Sequence, residues 1–117
     1  MIGIFTSTAS FAASAGWSGI LPKNHGNIYT STVTKSTSNT VVSAKATLLP
    51  PQGVNVWIQT GKDSGALRAT NIAAVKTKNS YKLTYSGYSN SGRRVSAGIE
   101  NRGTEILKST KGNVDFK

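Results

Sequence analysis

The sequence predicts an all-β protein: a single-domain antiparallel β-sandwich or jelly-roll-like fold of seven to eight short strands. Composition is the first reason, since 15 Ser, 14 Thr and 12 Gly stand among 117 residues. Ser, Thr and Gly are weak helix formers, while Thr and Val suit a pleated surface. Apolar residues also recur at every second position, the signature of a strand with one buried face. Finally, turn-forming clusters interrupt the chain at roughly ten-residue intervals, as in a short-stranded sandwich. The length allows one domain, and 37% hydrophobic residues support one modest core.

The elements follow in order. A strand is expected around Trp17–Leu21, ended by Pro22 and the turn residues Lys23–Asn27. Ile28–Thr34 reads as the next strand, Lys35–Asn39 as a polar turn, and Val41–Leu49 as a strand with Val42, Ala44, Ala46 and Leu48 on one face. Pro50 and Pro51 end it, because neither donates to a ladder. Val54, Val56 and Ile58 then share a face, with Asn55, Trp57 and Gln59 opposite.

Gly61–Gly65 is a turn, Ala66–Thr70 a weak strand, and Asn71–Val75 a strand or one helical turn. Tyr81, Leu83 and Tyr85 alternate with polar residues and, across the loop Ser89–Gly92, predict a hairpin with Val95, Ala97 and Ile99. Asn101–Gly103 is a turn, Thr104–Gly112 a loop or brief helix, and Val114 and Phe116 mark a terminal strand. The apolar faces of 42–48, 54–58, 81–85 and 95–99 are the expected core.

The first fifteen residues predict export. Ile2–Phe11 is uncharged and partly apolar, and Ala13 and Ala15 fit the small-x-small pattern of signal-peptide cleavage, here after Ala15. No basic residue precedes Lys23, unlike a full signal peptide. The stretch is about half the roughly twenty residues a membrane span needs. Residues 1–15 are therefore expected to be a signal peptide or disordered leader, residues 16–117 the domain, and the protein secreted.

Charge narrows the partner. Fourteen Lys and Arg against four Asp and Glu give a net +10. Residues 1–61 hold three lysines and no acid, whereas residues 62–117 hold eleven basic and four acidic side chains. Such a field attracts polyanions. The expected partner is an anionic cell-wall polymer, a glycan or a membrane surface. Nucleic acid ranks behind these, because no recognition motif is present.

The inventory for catalysis is thin. Acid–base work usually needs a placed His or a pair of carboxylates, and here His25 is single, among turn residues, with Asp63, Glu100, Glu105 and Asp115 as the only acids. No enzyme activity, metal or cofactor is expected. Glu100 follows the buried Ile99, so it is expected to face outward and pair with a Lys or Arg. Binding is the open role. Trp57 lies opposite the core-facing residues, where an aromatic ring stacks on a sugar or base. Tyr88, Arg93 and Arg94 flank the 89–92 loop and suit an anion. Arg68, Lys76, Lys78 and Lys82 are expected to extend that basic surface.

Leu21-Pro22-Lys23-Asn24, the Tyr81–Tyr88 segment, Val95-Ser96-Ala97-Gly98-Ile99-Glu100-Asn101 and the closing Gly112-Asn113-Val114-Asp115-Phe116 cover most of the domain. In this layout the chain resembles small secreted Ser/Thr/Asn-rich β proteins of bacilli and their relatives, some of them bacteriocin-like. The resemblance implies a Gram-positive exported protein and transfers no site residue. The function expected is thus a secreted cationic module that binds an anionic envelope or matrix polymer. A bacteriocin-like effector and a carbohydrate-binding sandwich are the alternatives.

Overall fold

The computed structural model describes residues 13–61, 66–103 and 108–117. Among these the chain forms nine strands and no helix: β1 (Ser14–Leu21), β2 (Asn27–Tyr29), β3 (Val33–Thr34), β4 (Val41–Leu48), β5 (Val54–Thr60), β6 (Ala73–Val75), β7 (Ser80–Thr84), β8 (Arg94–Asn101) and β9 (Lys108–Asp115). The all-β expectation holds.

Two antiparallel sheets face each other. Sheet A runs β1-β9-β4-β7 and sheet B runs β2-β8-β5-β6, with β3 also on β8. β2 and β3 follow one another along β8, Tyr29 opposite Gly98 and Val33 opposite Val95. They are one edge strand broken at residues 30–32. Counted as one, the order is first-eighth-third-sixth against second-seventh-fourth-fifth. This is the pair of interleaved Greek keys that defines a jelly roll.

Alternation explains why each strand settles with the face it buries. Val42, Ala44 and Ala46 of β4, Val54, Val56 and Ile58 of β5, and Val95, Ala97 and Ile99 of β8 all enter the core, with Leu83 and Phe116. Each large aliphatic side chain so buried contributes about 1.5–3 kcal/mol. Leu48, expected inward, is instead exposed, because a bulge at Thr47 shifts the register between Ala46 and Leu48.

The expected hairpin between 81–85 and 95–99 does not form. β7 pairs with β4 in sheet A, whereas β8 pairs with β5 in sheet B, so the 85–93 segment crosses between sheets. Alternation marks a strand but does not name its partner. Nor is Thr104–Gly112 a loop or helix throughout, since β9 opens at Lys108 and lies between β1 and β4. Its central place overrides weak strand propensity. The 104–107 part of that expectation, and 62–65 of the expected turn, lie outside the described residues.

Gly112 is required in that central strand. A Cβ there would sit 2.2 Å from the indole of Trp17 and 2.7 Å from the carbonyl oxygen of Lys45. Trp17 is 3% exposed, and its Nε1 donates to Thr110 Oγ1 at 3.0 Å. Thr110 in turn donates to the Leu48 carbonyl at 2.9 Å.

The expected boundary after Ala15 falls inside β1. Ser14 pairs with Asp115 and Ala15 with Val114, while the Phe116 N–H donates to Ala13 O at 2.7 Å. Residues 1–12 of the expected leader lie outside the described residues.

Candidate functional site

Strand direction sorts the surface into two ends. β8 enters at Arg94, next to the end of β5, and leaves at Asn101, beside Val54. At the Arg94 end the chain between the sheets builds a basic loop. Tyr88 adopts a left-handed backbone, φ 60°, and is 38% exposed. That conformation is uncommon for a bulky residue. The Arg93 guanidinium lies over the Tyr88 ring, 5.1 Å from its centroid. This contact orients the charge and contributes about 0.5–1 kcal/mol at an exposed site.

Asn90, Ser91, Gly92, Arg93 and Arg94 line an open cleft of about 370 Å³. Arg94 also walls a second cleft of about 580 Å³ with Ser31, Thr32 and Gly61. Among the described residues the one ion pair is Lys117–Asp115, at 3.6 Å, so neither arginine is neutralised by a carboxylate there.

A buried lysine holds this loop from beneath. Lys35, expected in a polar turn, is 1% exposed. Its N–H donates to Arg93 O, and its own carbonyl accepts from Gly92 N–H. The ammonium donates to Asn39 O and Phe116 O, each at 3.1 Å, and sits 4.5 Å from the centre of the Tyr85 ring. Burial lowers its pKa, and the nearby Asp115 carboxylate opposes that shift. Hydrogen bonds and the ring replace the water the charge has lost.

The outer face of sheet B is a second surface, with side chains in cross-strand rows. Tyr29, Gly98 and Trp57 form the middle row. A Cβ on Gly98 would lie 2.3–2.9 Å from three atoms of the Trp57 six-membered ring, so the indole leans over Gly98 and toward Tyr29. Its Nε1 donates to Gln59 Oε1 at 3.0 Å. Gln59 Nε2 donates to Ser96 Oγ at 3.3 Å, and Ser96 to the Gly61 carbonyl at 2.5 Å. Trp57 is half-buried and held in one orientation.

On one side of this row stand Asn27, Glu100 and Asn55. Asn55 Nδ2 donates to Glu100 Oε1 at 2.8 Å, and Arg102 Nη1 donates to Asn55 Oδ1 at 2.7 Å. Glu100 does face outward as expected, but among the described residues its partner is the Asn55 amide and not a Lys or Arg. Asn27 Nδ2 donates to the Tyr29 hydroxyl at 3.2 Å, while Asn27 Oδ1 is shielded from solvent with no partner. On the other side, Ser96, Gln59 and Arg68 follow in register.

The expected basic surface is therefore divided. Tyr88, Arg93 and Arg94 come together. Arg68 lies at the edge of sheet B, and Lys82 lies opposite Ser43 on the outer face of sheet A. Lys76 and Lys78 follow Val75, which pairs with Val54 at the far end of the sandwich, so they do not join the arginines. The β7–β8 crossing is the reason, because a hairpin would have kept these residues close. Sequence reading missed Lys35, Tyr29, Asn27, Asn55 and Gln59. Period-two parity places the last two beside Trp57, but no local signal sets Tyr29 next to Gly98.

His25 is exposed in a left-handed turn, with Nδ1 3.2 Å from Asn101 O. Among the described residues no three His, Cys, Asp or Glu side chains gather as a metal site. No protein-family model matches the chain, and neither a curated protein nor a solved structure is significantly similar to it.

Proposed function

We propose that the protein is a non-catalytic, secreted cationic module that binds an anionic polymer of the cell envelope or matrix. The observation that carries this is the Arg93–Arg94 loop. Two guanidinium groups without carboxylate partners among the described residues line adjoining clefts, one of them steadied on Tyr88. Guanidinium forks match the oxygens of phosphate and carboxylate groups. The strained backbone at Tyr88 and the buried Lys35 beneath the loop support a preformed site. The net charge of +10 adds long-range attraction.

The test is retention on isolated Gram-positive cell walls and on poly(glycerol phosphate), at low and at high salt. Retention at low salt, release at high salt and loss in an Arg93→Ala/Arg94→Ala variant are expected, since salt screens exposed charges. Retention that neither salt nor the double substitution alters would overturn the reading.

A further inference from the structure

We propose that the outer face of sheet B is a saccharide platform that takes an extended, ribbon-like β-1,4-linked polysaccharide, one sugar ring stacking on Trp57. This goes beyond the polyanion reading and stands on different residues. The first argument is the mounting of Trp57. One ring face is occupied by Gly98, and the Nε1 is fixed by the Gln59–Ser96–Gly61 relay. An aromatic ring already held in place loses little freedom when a ligand stacks on it.

The second argument is the row itself. The Tyr29 and Trp57 backbones stand two strand spacings apart, and the indole leaning over Gly98 lies one spacing, about 5 Å, from the Tyr29 strand. That spacing is on the scale of one sugar ring. A β-1,4-linked chain of equatorial pyranoses is flat, and its C–H faces lie against aromatic rings while its hydroxyls point sideways. The platform has polar rows where those hydroxyls would reach. Glu100 and Asn55 supply acceptors and donors along one side, already cross-linked to Arg102.

The third argument is Asn27, whose Oδ1 has no hydrogen-bond partner and is shielded from water. Turning the amide over exchanges an unpaired oxygen for an unpaired amino group, because Tyr29 OH serves either. A buried polar atom left unpaired calls for an explanation. Asn27 meanwhile holds the Tyr29 hydroxyl beside the platform, where a sugar hydroxyl can bond to it. Along β8, Arg94 lies on the same face as Gly98, about 13 Å away at strand rise. One polymer carrying both sugar rings and acidic groups would span both surfaces.

The test uses probes that separate the two surfaces. Cellohexaose and the N-acetylglucosamine hexamer are neutral and report on the platform; poly(glycerol phosphate) without sugar substituents reports on the arginines. Calorimetry with the full chain should show at least one hexamer binding equally at low and high salt. Trp57→Ala and Tyr29→Ala should each weaken it about tenfold or more, with Arg93→Ala/Arg94→Ala unchanged. Tyr29 lies on an edge strand, so its variant keeps the test sound should Trp57→Ala fold poorly. No heat and no change in Trp57 emission with either hexamer, or full affinity in the Tyr29 variant, overturns the platform. Failure with poly(glycerol phosphate) alone overturns only the polyanion reading.

Discussion

The indole of Trp17 occupies the space above Gly112 inside the sandwich, as the indole of Trp57 occupies the space above Gly98 outside it. The two pairs differ in what surrounds the ring. Trp17 is enclosed and tied to Thr110, whereas Trp57 has solvent on its far side. Gly112→Ala should therefore cost about 3 kcal/mol or more, because a new Cβ in a packed core forces side chains and backbone apart. Gly98→Ala should cost about 1 kcal/mol, since the Trp57 ring can swing outward. Urea melts of both variants check this, with Trp emission moving to longer wavelength only in Gly98→Ala. Equal losses would contradict it.

The hydroxyl of Tyr85 is buried without a partner among the described residues, and burial raises its pKa above the ordinary 10.0. The unfolded phenol ionises near pH 10 and the native one does not. The native state thus binds more protons above that pH, and stability falls as pH rises. Lys35 acts oppositely, because its pKa is lowered below 10.5. Between that lowered value and 10.5 the unfolded chain binds more protons, so Lys35 adds stability as pH rises through the window. Tyr85→Phe should remove the alkaline loss and, at neutral pH, stabilise by about 1 kcal/mol. Melts at about pH 7 and about pH 11 decide, since parallel losses in both proteins would refute the assignment.

Lys35→Met keeps the stem and removes the ammonium. The carbonyls of Asn39 and Phe116 then lose their donor, and Tyr85 its cation. A loss of about 1–3 kcal/mol is expected. Amide hydrogen exchange should quicken at Gly92 and Lys35, which hold the arginine loop. Protection unchanged at both amides would show that the loop does not depend on the ammonium.

A chain beginning at Gly16 lacks the Ser14–Asp115 and Ala15–Val114 pairs and the Ala13 carbonyl that accepts from Phe116. Compared with a chain beginning at Ala13, it should be less stable by about 1–3 kcal/mol. Equal thermal midpoints would place these three residues outside the cooperative fold.

How much of this was legible in the sequence depends on distance along the chain. The buried faces of 42–46, 54–58 and 95–99 were readable because period two is a local property. The nearness of Tyr88 and Arg93 was readable for the same reason. Partnership between strands was not: alternation alone pairs 81–85 with 95–99 and draws Lys76 and Lys78 toward the arginines. In the structure β7 pairs with β4, and Lys76 follows Val75 at the opposite end. Tyr29, Trp57 and Gly98 are brought together only by β2, β8 and β5 in register. Lys35 looked like a turn lysine because its burial is created by Phe116, Asn39 and Tyr85, two of them far away in sequence.

β9 lies between β1 and β4, so the strand latest in sequence among the described residues is an interior strand of sheet A. As the chain emerges, β1 and β4 have no bridge between them until residues 108–115 arrive. Loop-closure entropy for these distant pairings must be met before burial rewards it, which slows folding. Until β9 is in place β1 has no strand partner, whereas β5 and β8 can already pair in sheet B. Sheet A is complete only once β9 lies between β1 and β4.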